Sequence, residues 1–93
     1  MQFARANICV SGRVQGVYYR AFARDIAQYN GLKGWVRNLP DGRVEALFEG
    51  RKEEIELAIN QCYSGPPGAR VDNIDVRWEE YKGDLSGFEI RYY

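Results

Sequence analysis

Residues 5–31 read RANICVSGRVQGVYYRAFARDIAQYNG, and the hydrophobic period changes inside this stretch. From Arg5 to Val14 the residues alternate, with Ala6, Ile8 and Val10 on one face and Asn7, Cys9 and Ser11 on the other, the period-2 pattern of a half-buried strand. Gly12-Arg13-Val14-Gln15-Gly16-Val17 then makes a loop with two glycines. Beyond it Tyr19, Phe22, Ala23, Ile26 and Asn30 fall at helical spacing, and Gly31 is a stop signal, so a helix is predicted from near Tyr18 to Asn30. A strand joined to a helix by a short loop opens a strand-helix-strand unit, and the following strands decide which one.

Gly34 to Leu39 and Arg43 to Glu49 both alternate and are joined by Pro40-Asp41-Gly42, in which Pro pre-sets its own dihedral and Gly accepts a positive one. This predicts a β-hairpin. Ile55, Ala58, Ile59 and Cys62 then recur at i, i+3, i+4 and i+7 against Lys52, Glu53 and Glu56, an amphipathic helix over Arg51 to Tyr63 that stops at Ser64-Gly65-Pro66-Pro67-Gly68. A long strand follows, with Ile74, Val76 and Trp78 facing one way and Asp75, Arg77 and Glu79 the other. Lys82-Gly83-Asp84 reads as a turn, and Phe88, Ile90 and Tyr92 mark a short last strand. The order predicts an α+β fold, the ferredoxin-like split βαββαβ sandwich: an antiparallel sheet with two helices on one face and a short final strand.

The chain has 93 residues, 45% hydrophobic, enough for one globular domain spanning residues 1–93 with its own core. Thirteen Lys plus Arg balance thirteen Asp plus Glu, so the basic surplus that drives nucleic-acid binding is missing. No apolar run exceeds three residues. A membrane span needs about 20 and a signal peptide about 7 to 15, so neither is expected and the compartment predicted is the cytoplasm. Without a marked apolar patch the default state is a monomer. Cys9 and Cys62, 53 positions apart, read as reduced, buried thiols that pack rather than react.

There is no histidine and no threonine, and the serines are Ser11, Ser64 and Ser86, which excludes a Ser-His triad. Two distant cysteines without histidine offer no zinc spacing, and carboxylates such as Glu53, Glu54 and Glu56 sit in solvent-type positions, so neither metal nor cofactor is expected. Gly16 is followed by Val17-Tyr18 rather than Lys and Ser or Thr, which rules out a Walker loop. Six positions after Cys9 and Cys62 stand Gln15 and Gly68, not the arginine of a cysteine phosphatase.

What remains is the start of the first helix. Its unpaired N–H groups and positive dipole end suit an anion, and Gly12 and Gly16 permit a nest of inward-pointing amides; the same glycines also suit a tight strand-to-helix connection. Arg20 in the first turn opposes the helix dipole, by roughly 0.3 to 1 kcal/mol, unless a bound phosphate or carboxylate compensates it or its side chain snorkels to solvent. Asn38 falls on the strand face of Gly34 and Val36, where a buried apolar residue is expected. Its amide can hold a water or a substrate oxygen, or simply satisfy the hairpin turn.

Gly12-Arg13-Val14-Gln15-Gly16-Val17-Tyr18-Tyr19-Arg20, followed by Gly34-Trp35-Val36-Arg37-Asn38 and Asp41-Gly42-Arg43-Val44-Glu45, resembles the acylphosphatase family. The likeness runs on through Gly65-Pro66-Pro67-Gly68-Ala69-Arg70-Val71 to Phe88-Glu89-Ile90-Arg91-Tyr92 and so covers nearly the whole chain in the family's order. Tyr18 and Tyr19 stand where phenylalanine or a smaller residue is usual, and Tyr93 extends the terminus. The resemblance implies hydrolysis of a small-molecule acyl phosphate to a carboxylate and inorganic phosphate, without metal. It also implies that Arg20 binds the phosphate, that the backbone of Gln15, Gly16, Val17, Tyr18, Tyr19 and Arg20 forms the cradle, and that Asn38 orients the attacking water.

Two other classes share the pattern. An RNA-binding module of this topology stacks bases on aromatics of the open sheet face, whereas Glu45, Leu47 and Glu49 predict an acidic face without them. A non-catalytic anion sensor, or a module handling carbamoyl phosphate for a larger enzyme, would keep the cradle and lack only turnover.

Overall fold

The computed structural model describes residues 2–92. The elements are β1 (Phe3–Arg13), α1 (Tyr19–Tyr29), β2 (Lys33–Asn38), β3 (Val44–Arg51), α2 (Lys52–Ser64), β4 (Arg70–Glu79) and β5 (Phe88–Arg91). They form one five-stranded sheet in the order β4-β1-β3-β2-β5. β1 lies antiparallel between β3 and β4, and β2 is antiparallel to β3. The predicted helix and strand pattern is present, Tyr93 lying outside the described residues.

The final strand makes the sheet mixed rather than antiparallel throughout, because β5 runs parallel to β2. The chain leaves β4 beside Arg5 of β1 and enters β5 beside Gly34 of β2, so it crosses the sheet near one end without travelling its length. β5 therefore runs opposite to β4, which is the direction of β1 and β2.

The alternation read from β1 is borne out: Ala6, Ile8 and Val10 are buried with Val36, Val44, Ala46 and Phe48 under the two helices. From above, α1 contributes Tyr19, Ala23, Ile26 and Ala27, and α2 contributes Ile55, Ala58, Ile59 and Cys62. Each large apolar side chain so buried contributes roughly 1.5–3 kcal/mol. The Tyr19 hydroxyl donates to the Cys62 carbonyl at 2.7 Å, clipping the first turn of α1 to the last of α2. On β4 only Ile74 is buried; Val76 and Trp78, expected on the same inner face, are exposed because β4 is the outer strand.

Three features of the opposite face depart from expectation. Leu47 and Glu49 are buried rather than part of an open acidic surface, Glu49 beneath the segment that carries Lys82 and Gly83. Arg5 Nε donates to Glu49 Oε2 at 3.0 Å and Arg5 Nη2 to Asp84 Oδ1 at 2.8 Å, while the Lys82 and Gly83 N–H groups also reach Glu49 Oε2, at 2.9 and 3.3 Å. Glu45 is engaged as well, by Arg37 at 2.7 Å and Asn7 at 3.0 Å. Cys9 is half-buried on this face and not a core residue, whereas Cys62 is buried; both thiols are free. Burial pushes Cys9 up, with Glu45 adding to it, and pushes Cys62 up to about 12, so neither supplies a thiolate nucleophile near neutral pH.

Glu49 carries a stability prediction. Burial pushes its carboxyl up, but the Lys82 N–H, the Arg5 guanidinium and the Gly83 N–H outweigh that and hold it below the usual glutamate range. A carboxyl held low in the folded chain binds fewer protons there than in the unfolded chain. Its contribution is therefore present at neutral pH and lost as pH falls from the ordinary value of 4.5 through the lower folded value. Glu49→Ala leaves the buried Arg5 with only the exposed Asp84 and is expected to cost about 3–5 kcal/mol. In urea unfolding, Glu49→Gln should be less stable than wild type at neutral pH and the gap should narrow in acid; a gap independent of pH would refute the assignment.

Candidate active site

The site is built where β1 turns into α1. β1 continues to Arg13, with a bulge at Ser11 and Gly12 where it pairs with β4. Gly12 has φ 127°, and a Cβ there would collide with the Arg70 carbonyl oxygen. Gly12 thus serves close approach of two strands and does not belong to an anion nest. Gly16, with φ 75° and open space around it, is the glycine that shapes the loop.

Tyr18 is the helix N-cap in the left-handed region, φ 62° and ψ 29°, and is the one non-glycine with positive φ among the described residues. The first helical bond runs from the Phe22 N–H to the Tyr18 carbonyl, 3.1 Å. N–H groups ahead of Phe22 have no intrahelical acceptor. No side chain caps this end, and no acidic residue lies in the first turn, whereas α2 has Glu53 and Glu54 there. The positive end of the α1 dipole is left for an external anion.

Gln15 connects this loop to the hairpin. Its Nε2 donates to the Leu39 carbonyl at 2.8 Å and to the Arg43 carbonyl at 2.9 Å. Leu39 follows Asn38, the last residue of β2, so the grip of Gln15 holds the hairpin end beside the loop. The turn itself is closed without Asn38: the Arg43 N–H and guanidinium both donate to Asp41, at 3.1 and 2.8 Å. The half-buried amide of Asn38 is left facing a cavity.

Arg20 is anchored by the far end of the chain. Its Nη1 donates to the Arg91 carbonyl at 3.2 Å, and its Cζ lies 4.5 Å from the centroid of the Tyr92 ring. These contacts fix the guanidinium at the cavity wall in place of a snorkelling surface conformation.

The cavity, about 430 Å³, is lined by Val14, Gly16, Tyr18, Tyr19, Arg20, Ala21, Asn38, Ile90 and Tyr92. Of the residues singled out from sequence, Gly16, Tyr18, Tyr19, Arg20 and Asn38 meet here. Gln15 and Val17 do not line it: Gln15 grips the hairpin and Val17 packs against the core. Ile90 and Tyr92 belong to the strand alternation and to the stretch that carries the family resemblance, neither of which assigns them to the site; their place beside Arg20, 71 positions away for the Arg91 contact, has no local signal. Among the described residues no group of three or more His, Cys, Asp or Glu is arranged to hold a metal ion.

A family model for acylphosphatase matches residues 6–90. The acylphosphatase of Roseiflexus sp. (strain RS-1) is 54% identical over 90 residues, covering 97% of this chain and 97% of that one. Among solved structures, the crystal structure of acylphosphatase from Bacillus subtilis superimposes with a TM-score of 0.93 at 36% identity, covering 96% of this chain and 99% of that one. Full-length HypF in its phosphate- and nucleotide-bound form matches at TM-score 0.83 and 32% identity, this chain corresponding to only 12% of its length. Sequence motifs, strand order, cavity and relatives agree, and the chain belongs to the acylphosphatase family of enzymes.

Proposed function

We propose that the protein hydrolyses acyl phosphates by binding the phosphoryl group between Arg20 and the backbone of the loop into α1, of which Gly16, Tyr18 and Tyr19 line the cavity, and by orienting the attacking water with Asn38. The observation that supports this most directly is the shared cavity: one cation, an uncapped helix start and one amide with both donor and acceptor line the same space. The water oxygen attacks phosphorus as the bond from phosphorus to the acyl oxygen breaks, and the bonding pair leaves with the carboxylate. One water proton passes to a phosphoryl oxygen, so that an acyl phosphate dianion and water become a carboxylate and dihydrogen phosphate.

No protein base is required, because the carboxylate is a good leaving group and positioning with charge stabilisation carries the barrier reduction. Arg20 provides the fixed charge, and its attachment to Arg91 and Tyr92 limits reorganisation as charge moves onto the leaving oxygen. Asn38 accepts from the water and keeps its oxygen in line with the breaking bond. The same reading takes residues 1–93 as a single domain acting as a cytoplasmic monomer, a compartment in keeping with two unpaired thiols.

Benzoyl phosphate hydrolysis tests the proposal. Turnover should persist in EDTA and be inhibited competitively by inorganic phosphate. Phosphate binding without turnover would favour an anion sensor or a carbamoyl-phosphate module. A pH-rate profile set by a protein group, with no counterpart in substrate ionisation, would count against proton transfer to the phosphoryl oxygen.

A further inference from the structure

We propose that Gln15 is a positioning residue for the hydrolysis: it sets the place of the Asn38 amide relative to the phosphoryl cradle while touching neither the substrate nor the attacking water. The inference rests on the acyl phosphate reading above and adds the residue that keeps the two halves of the site in register. The Gln15 side chain is half-buried and does not line the cavity, so binding of the phosphoryl group does not account for it. Both hydrogens of its Nε2 are committed to the hairpin, one to the Leu39 carbonyl at 2.8 Å and one to the Arg43 carbonyl at 2.9 Å.

Those two carbonyls close the hairpin end. The Arg43 carbonyl also accepts from the Leu39 N–H at 2.8 Å, and the Leu39 carbonyl from the Gly42 N–H at 3.2 Å, so Gln15 fills the second acceptor position of each. One side chain thereby grips both arms of the turn, next to the pair of Asn38 and Val44 that ends the β2–β3 ladder. In the chain Gln15 is bonded to Gly16, which lines the cavity, and Leu39, 24 positions on, is bonded to Asn38. Among the described residues no other hydrogen bond joins residues 14–18 to residues 38–43. Arg20 is held separately, by the Arg91 carbonyl and the Tyr92 ring. The cation is thus fixed from β5 and the water-orienting amide from Gln15, and a misplacement of about 1 Å between reacting partners costs on the order of 10²-fold in rate.

The test measures kcat on benzoyl phosphate and the inhibition constant of inorganic phosphate for Gln15→Met, Gln15→Ala, Asn38→Ala and the double variant Gln15→Met/Asn38→Ala, with urea unfolding of each. Methionine keeps the length and packing of glutamine and removes both donors. Gln15→Met and Gln15→Ala should each lower kcat about 10- to 100-fold, with phosphate inhibition within about twofold of wild type. In the Asn38→Ala background no amide is left to place, so Gln15→Met should lower kcat by no more than about twofold there, a coupling that general loosening of the fold does not produce. A full further loss in the double variant, weakened phosphate inhibition or normal kcat in Gln15→Met, or failure of both single Gln15 variants to fold would overturn the inference while leaving acyl phosphate hydrolysis standing. Normal turnover in Asn38→Ala would overturn it together with the water-orienting role of Asn38, and absence of turnover in wild type would overturn the whole reading.

Discussion

Arg20→Ala should remove phosphate binding and turnover together. Among the described residues Arg20 is the one charged residue that lines the cavity, and the helix start beside it supplies N–H donors but no compensating acid. Hydrogen bonds to charged groups contribute about 1.5–3 kcal/mol each, so losing a forked pair lowers kcat/KM by roughly 10²- to 10⁴-fold. Arg20→Lys retains the charge without the fork and should fall between wild type and alanine. The folded state should change little, since the side chain gives up one hydrogen bond at 3.2 Å and one ring contact with exposed Tyr92. Kinetics with benzoyl phosphate and calorimetric titration with inorganic phosphate read the two losses separately. Retained phosphate affinity in the alanine variant would remove Arg20 from the binding role.

The route by which Arg20 is held explains which parts of the molecule could be read from sequence. Local patterns were legible: the period change between Val10 and Tyr19, the Pro40-Asp41-Gly42 turn, and the buried spacing of Ile55, Ala58, Ile59 and Cys62 all reflect short-range geometry. The family resemblance carried Arg20 and Asn38 further than spacing alone, which left a bound anion and a surface arginine both open. What had no local signal was tertiary. Glu49 looks like any polar residue of an alternating strand until the segment that carries Lys82 and Gly83 covers it and Arg5 pairs with it. The same crossing segment brings the chain into β5 beside β2, and β5 in turn presents the Arg91 carbonyl and Tyr92 to Arg20. Gly12 illustrates the converse. A glycine in a loop-like motif suggested an anion nest, yet its reason is the approach of β4 across a bulge, which depends on a strand almost sixty residues later.

Asn38→Ala is expected to separate chemistry from binding in the opposite sense to Arg20→Ala. The amide closes no hydrogen bond of the adjacent turn, which Asp41, Arg43 and Gln15 complete among themselves, so truncation leaves the hairpin in place. Ground-state affinity for the phosphoryl group depends on the Arg20 side and should be retained. Water that loses its acceptor must find the in-line position by chance, a loss comparable to removal of one preorganised polar group, about 10²- to 10³-fold in kcat. KM and the inhibition constant of inorganic phosphate should stay within about twofold of wild type, the pattern of an interaction made only in the transition state. Asn38→Asp is the sharper variant: it preserves shape and an acceptor for the water but places a carboxylate across the cavity from the phosphoryl group, so binding should weaken as well. If Asn38→Ala turned over normally while phosphate affinity fell, the amide would be a phosphate ligand, and the water would need another acceptor in a cavity whose remaining lining is glycine, hydrocarbon, tyrosine and Arg20.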